Sequence, residues 1–292
     1  MHPNPITTRI GLANLTGKMP AEFEKREIPV LVSANALFDH TRCTFREVPT
    51  NVYDLDVALD SAGFVAMRHY RRYPWTIRQY VETAVSFPWT WWAQMDACCE
   101  PEIAGDRSTV LERVNATARM LELCRDDRAR LLDNYPEFEP IASEPMPVLQ
   151  GWLPDDYRRS IDLADRVLKG KWPRMVGIGS VCRRSLSGPF GLWRILHAVD
   201  TALPPDVSVH LFGVKGTALK DIHRFPRVVS TDSMAFEFEA RLRCREERMS
   251  KTISARLVCL DSWRERQQRL LRSANEPDLF TALGAVRNAS AF

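Results

Sequence analysis

No stretch of this 292-residue sequence approaches the roughly eighteen consecutive apolar residues that a bilayer-spanning helix needs. The opening MHPNPITTRIGL also lacks the apolar centre of a secretory leader. A cytoplasmic protein with no membrane partner is therefore expected. Cysteine is sparse and unpatterned: Cys43, Cys98, Cys99, Cys124, Cys182, Cys244 and Cys259 make an odd number with no CxxC pair. That argues against a disulfide framework and against zinc spacing, and implies reduced thiols. The GxGxxG fingerprint of dinucleotide-binding sheets is missing as well, and VGIGSV at 176–181 does not match it. Nor is there a large charge excess, since 40 basic against 37 acidic side chains leave +3. Affinity for a polyanion must then come from local clusters such as Arg68-His69-Tyr70-Arg71-Arg72 and Arg183-Arg184.

What is present is the mix of a folded protein with a full core, 45% hydrophobic and 26% charged. Seven short apolar runs rich in β-formers recur along the chain: 29–35, 55–60, 89–96, 147–152, 175–181, 207–214 and 227–232, with a possible eighth at 254–259. Between them lie helix candidates at 75–86, 107–133, 155–169, 190–201 and 217–224. Strands alternating with helices imply parallel pairing through right-handed crossovers. The fold class expected is α/β, a (β/α)8 TIM barrel with insertions, one domain over residues 1–292, since about 250 residues is usual for that fold. A doubly wound sheet is the rival. Residues 134–147 read as a surface connector, and about 236–272 as an Arg/Glu-rich, solvated helical segment. The aromatic FPWTWW stretch and the tandem Cys98-Cys99 read as core.

In a barrel the chemistry gathers where strands end. Asp60 ends the second run, Asp96 the third, Gln150 the fourth, Gly179-Ser180 the fifth and Asp232 the seventh, while Lys215 follows the sixth. Singly, each aspartate is more simply a helix cap or turn former. Together, two separated carboxylates suit displacement at an anomeric carbon, one as nucleophile and one as proton shuttle. A third beside an amide suits a guanine-like base, whose N1–H and exocyclic amine donate to a carboxylate while O6 accepts.

These strand ends resemble a known pattern. LDSAGF resembles the DSGGF signature of the tRNA-guanine transglycosylase superfamily, AQMDACC its FDEC segment, PVLQGW its VQG, and VGIGSV its glycine pair. HLFGVKGTALKDI and VVSTDS resemble its MGVG segment and nucleophile strand. Order and approximate spacing hold from about residue 30 to 235. GIGSVCRR, HLFGVKG and STDSMAF look most like the DpdA-type DNA-guanine transglycosylases of phages and bacterial DNA-modification clusters.

The resemblance implies a (β/α)8 barrel that exchanges guanine in DNA for a free 7-deazaguanine base, such as 7-cyano-7-deazaguanine, through a covalent intermediate. It implies Asp232 as nucleophile at C1′, Asp60 as general acid/base, Asp96 and Gln150 as base readers, and Gly179 with Ser180 as pocket backbone. Ser61 and Phe64 would line the base, and Lys215, Arg183, Arg184, Arg68, Arg71 and Arg72 would hold phosphates. The partners expected are DNA, the free base and a second copy of the chain; the location is the cytoplasm, the host's if the chain is phage-encoded. The sequence departs from the superfamily in its zinc site: only Cys244 and Cys259 follow Asp232, and the last histidine is His223. No metal or cofactor is therefore expected. The alternatives are exchange on RNA by a zinc-less relative, a catalytically silent nucleic-acid-binding subunit, and a glycoside hydrolase with an Asp/Asp pair.

Overall fold

A computed structural model describes residues 6–182 and 184–273. The described residues divide into two compact units, a larger one of Ile6–Val214 with Arg227–Met234 and a smaller one of Lys215–Pro226 with 235–273. In the larger unit seven strands form one parallel sheet: β1 (Thr7–Gly11), β2 (Val30–Ser33), β5 (Val57–Asp60), β6 (Val148–Leu149), β7 (Met175–Ile178), β8 (Ser208–Leu211) and β9 (Val228–Ser233). Their order is β5-β2-β1-β9-β8-β7-β6. A short antiparallel hairpin, β3 (Phe38–Asp39) with β4 (Thr44–Phe45), stands apart from it.

Helices return the chain between parallel strands, and their ends are written in the sequence. Thr76 and Gln79 form a reciprocal capping box ahead of the helix Ile77–Val85. Asp106 accepts the Thr109 amide at 2.8 Å to start Arg107–Asn134. Pro154 opens Pro154–Leu168, where the Asp156 carboxylate collects the Trp152 and Leu153 amides at 3.0 and 2.7 Å. These three helices and Leu192–Ala202 fall where periodicity predicts them.

Four expectations are corrected. The seventh sheet strand is β1, which the sequence hides because Arg9 interrupts its apolar pattern. Arg9 is buried and spends its guanidinium on Asp56 and the Val30 carbonyl at 2.9 and 3.2 Å. The run 254–259 is no strand but part of the helix Ile253–Ser273. Residues 217–224 form two short 3-10 turns rather than a helix.

The fourth correction is the run 89–96, which makes only isolated parallel bridges, Leu59↔Trp92 and Ala93↔Met146. Its ladder is incomplete because the Gln94 side chain takes the place of main chain. That amide donates to the Thr117 carbonyl at 2.7 Å and accepts the Val148 amide at 3.2 Å. The sheet assigned is accordingly a curled seven-stranded one, not a closed eight-stranded barrel. Backbone bonds still run from Trp91 and Ala93 to Leu59, and from Gln94 and Met146 across to each other and Trp92.

The core of the larger unit includes Leu31, Ala58, Trp91, Ala93, Met146 and Val148, alternate residues from neighbouring strands. In the smaller unit the helices Ala235–Glu246 and Ile253–Ser273 bury Phe236, Ala240, Cys244, Leu260 and Trp263. There Glu237 is held by Lys251 and Arg256 at 2.6 and 2.8 Å. No helix among the described residues is long and apolar enough to cross a membrane.

Candidate active site

Parallel strands all end on one side of the sheet, so strand-end residues are brought together by topology. Register makes this concrete: Leu149 pairs Ile178, Ile178 pairs Leu211, and Leu211 pairs Thr231. The next residue on each strand is Gln150, Gly179, Phe212 and Asp232, which therefore form one row. On the other limb of the sheet Asp60 ends β5 opposite Ser33.

Asp96, Ser61, Gln150 and Ser180 are all buried and joined by hydrogen bonds. The Asp96 carboxylate accepts from Ser61 Oγ at 2.7 Å and from Gln150 Nε2. The Tyr73 hydroxyl donates to the Asp96 carbonyl at 2.9 Å and accepts its amide at 3.1 Å. Burial pushes the Asp96 carboxyl up while these donors pull it back. Gly179 keeps the pocket open, since a Cβ there would stand 2.1 Å from Gln150 Nε2.

Gly63 is required for the same reason. A Cβ at 63 would lie 2.6 Å from Asp96 Oδ1 and 2.9 Å from the Tyr73 hydroxyl. Gly63→Ala is expected to force the Asp96 cradle apart, lowering stability by about 1–3 kcal/mol. Denaturant unfolding measures that loss. Ala62, just before, occupies the left-handed region at φ 63°, which turns the chain from β5 into the loop. Phe64 follows, half-buried.

Asp60 lies close enough to Asp96 and to Asp232 to be repelled by both. Desolvation, then Asp96, then Asp232 push the Asp60 carboxyl up to about 8, against the opposing pull of the Ala62 and Ser61 amides. At neutral pH Asp60 is mostly the acid. Asp232 is only part-buried and is aimed by the Gly213 amide, which donates to its Oδ1 at 2.7 Å. Gly213 provides that N–H from the left-handed region, φ 62°.

Three residues in this neighbourhood are not among the sequence-derived candidates. His210, fully buried on β8, has Nδ1 2.8 Å from Ser230 Oγ and Nε2 3.4 Å from Asp232 Oδ1. Desolvation lowers its pKa more than Asp232 raises it, so the ring is favoured neutral. A donating Ser230 hydroxyl leaves the ring hydrogen on Nε2, facing the carboxylate. A polar residue at an inward position of an apolar strand was its only sequence signal. Tyr73 follows an irregular turn and had none. Glu100, buried beside Ser180, was masked by its neighbours Cys98-Cys99, both buried thiols whose pKa burial raises.

Of the expected phosphate ligands, Arg68, Arg71 and Arg72 are exposed on the larger unit and form no ion pair among the described residues. Lys215 is exposed in the smaller unit. Arg183 lies outside the described residues. Arg184 is corrected: it is buried, donates to the carbonyls of Ser180, Trp152 and Phe190 at 2.8, 2.8 and 2.9 Å, and stacks on Trp152 at 3.8 Å. It ties loops together and has no donor face left for phosphate. Arg184→Ala should cost about 2–4 kcal/mol in denaturant unfolding, because several buried carbonyls lose their donor.

Among the described residues no group of three or more His, Cys, Asp or Glu side chains is placed to hold a metal ion. The arrangement offers a protonated carboxyl, an aimed carboxylate, and a buried carboxylate–amide pair, which together suit displacement on a ring-bearing substrate.

A comparison with curated proteins found no match. A family model described as DpdA, DeoxyPurine in DNA protein A, matches residues 14–288. That span contains the carboxylates, the Asp96 cradle and every strand of the sheet except β1, so this chain belongs to the DpdA family.

Proposed function

We propose that this chain exchanges guanine in DNA for a 7-deazaguanine base by double displacement. The observation that carries the reading is the division of labour among three neighbouring aspartates, one held as an acid, one aimed by a backbone amide, and one sunk in a donor-lined pocket. Family membership supports DNA as the polymer.

In the first displacement the Asp232 carboxylate attacks C1′, the C1′–N9 bond breaks, and Asp60 gives its proton to the departing guanine. In the second, Asp60 takes the proton from N9 of the incoming base, which attacks C1′ and expels Asp232. Asp96 accepts from the purine N1–H and exocyclic amine, and the Gln150 amide donates to O6. Gly179 and Ser180 supply pocket backbone, and Ser61 and Phe64 flank the base. A duplex guanine must leave its stack to reach the site, at a cost of a few kcal/mol. In the same reading, residues 90–94 hold the eighth position of a closed barrel between β5 and β6.

The deciding experiment is labelled-guanine exchange on duplex DNA and on tRNA, with nucleoside analysis of DNA from cells supplied with 7-cyano-7-deazaguanine. Exchange on DNA supports the reading. Exchange on tRNA alone, or none on either, rejects it. Replacing Arg68, Arg71 and Arg72 with alanine is expected to weaken DNA binding at all sequences and to flatten its salt dependence by about one unit of slope per lost phosphate contact. Binding titrations across salt concentration check that.

A further inference from the structure

Glu100 has no role in the mechanism above, yet its carboxyl is almost wholly buried, 4% exposed. Its Oε2 lies 2.9 Å from Ser180 Oγ. The same Oγ lies 2.6 Å from Gln150 Oε1 and accepts the Cys99 amide at 2.7 Å. Gln150 Nε2 in turn donates to Asp96 Oδ2. Four side chains thus make a buried line, Glu100 to Ser180 to Gln150 to Asp96.

A serine hydroxyl has one hydrogen to give. If it goes to Gln150, the short contact with Glu100 needs a hydrogen on Glu100. If it goes to Glu100, the Gln150 amide must turn over to donate to Ser180, and its oxygen then meets Asp96, which needs a hydrogen instead. Two ionised ends would leave a pair of acceptors face to face among buried side chains, a costly arrangement.

We propose that Asp96 and Glu100 share one proton through Ser180 and Gln150, and that Glu100 is a positioning residue setting the charge of Asp96 and the face Gln150 turns to the base. The inference rests on Asp96 and Gln150 reading a purine as proposed above. With the hydrogen on Glu100, Asp96 is a carboxylate that accepts from N1–H and the exocyclic amine of guanine or a 7-deazaguanine. With the hydrogen on Asp96, it is spent on the turned-over Gln150 oxygen, and the neutral carboxyl is a weaker acceptor for N1–H and the exocyclic amine, so such bases bind poorly. Burial raises both carboxyl groups. The other titratable groups around Glu100 and the adjoining cysteines are Glu102, Cys98, Cys99, Arg113, Asp156 and Tyr157, with Arg184 on the Ser180 carbonyl.

The test compares wild type, Glu100→Ala and Glu100→Gln by guanine exchange across pH and by infrared spectra of the ligand-free proteins. Glu100→Ala is expected to raise KM for guanine about tenfold with kcat little changed, the mark of lost base binding. Glu100→Gln, whose amide donates to Ser180 as the acid does, should restore most of that loss. Wild-type KM should climb at alkaline pH as the shared proton leaves, and stay flat in Glu100→Gln. In the infrared, Glu100→Gln should lack one protonated-carboxyl band that wild type shows, whichever end holds the proton.

Wild-type KM in Glu100→Ala, or an unchanged carboxyl band in Glu100→Gln, overturns the shared proton. The infrared measurement needs no substrate. A wild-type protein that exchanges no guanine therefore sinks the proposed function, while the band still decides the proton.

Discussion

Asp232→Asn is expected to abolish covalent trapping on DNA and to cut guanine exchange by about a thousandfold or more, equivalent to about 4 kcal/mol on the barrier. The amide keeps an oxygen for the Gly213 N–H, which lies 2.7 Å from Oδ1 in the wild type, so the strand end should hold its shape. What the variant loses is the negative charge that the proposed displacement uses at C1′. Denaturing gels of DNA incubated with protein should show a slow-migrating adduct for wild type and none for Asp232→Asn, with unchanged circular dichroism. Exchange at a near wild-type rate would assign the nucleophile elsewhere. His210 stands beside the same carboxylate, with its Nε2 3.4 Å from Oδ1.

Asp60→Asn should lower exchange by about 10²–10⁴, the usual contribution of a positioned acid or base. Its pH signature is more specific than its size. A carboxyl raised to about 8 is an acid at neutral pH, so departure of guanine should slow as pH rises through that value. The residual rate of Asp60→Asn should lack this alkaline limb. Stability changes in the same range. The unfolded chain ionises Asp60 near pH 4, whereas the folded chain resists until about 8, so this residue's contribution to stability falls as pH rises from about 4 to 8. Asp60→Asn removes that penalty, and its melting temperature should drop less than that of wild type between pH 5 and 8. Parallel pH slopes for the two proteins would mean that Asp60 titrates as an ordinary surface carboxyl.

Much of this site was legible in order along the chain. The apolar runs that became β2, β5, β6, β7, β8 and β9 end in the residues that the sheet gathers, because parallel strands joined by helices must all finish on one side. Where local chemistry was in conflict, reading by pattern failed. Arg9 disguised β1 as a loop although both terminal nitrogens of its guanidinium are bonded inside the protein, to Val30 and Asp56. The β-rich letters of 254–259 sit within a helix that buries Cys259, Leu260 and Trp263, so burial on a helical face overrode intrinsic preference.

Arg184 shows the same limit within the site. A pair of arginines after a glycine turn reads as a phosphate grip, but whether a guanidinium faces solvent or four backbone oxygens depends on what packs over it. Here Trp152 does.

The sequence by itself determined which chemical groups stand at the strand ends, since those are residues placed one after another on a regular alternation of strand and helix. Only the tertiary structure decided their states. Asp60 is an acid because burial and two other carboxylates surround it. Asp96 sits in a donor-lined cradle because Ser61, Tyr73 and Gln150 converge on it from separate segments. Glu100 joins the pocket through a serine 80 residues away. Desolvation and Coulomb interaction depend on distance in space, and neither can be read from distance along the chain.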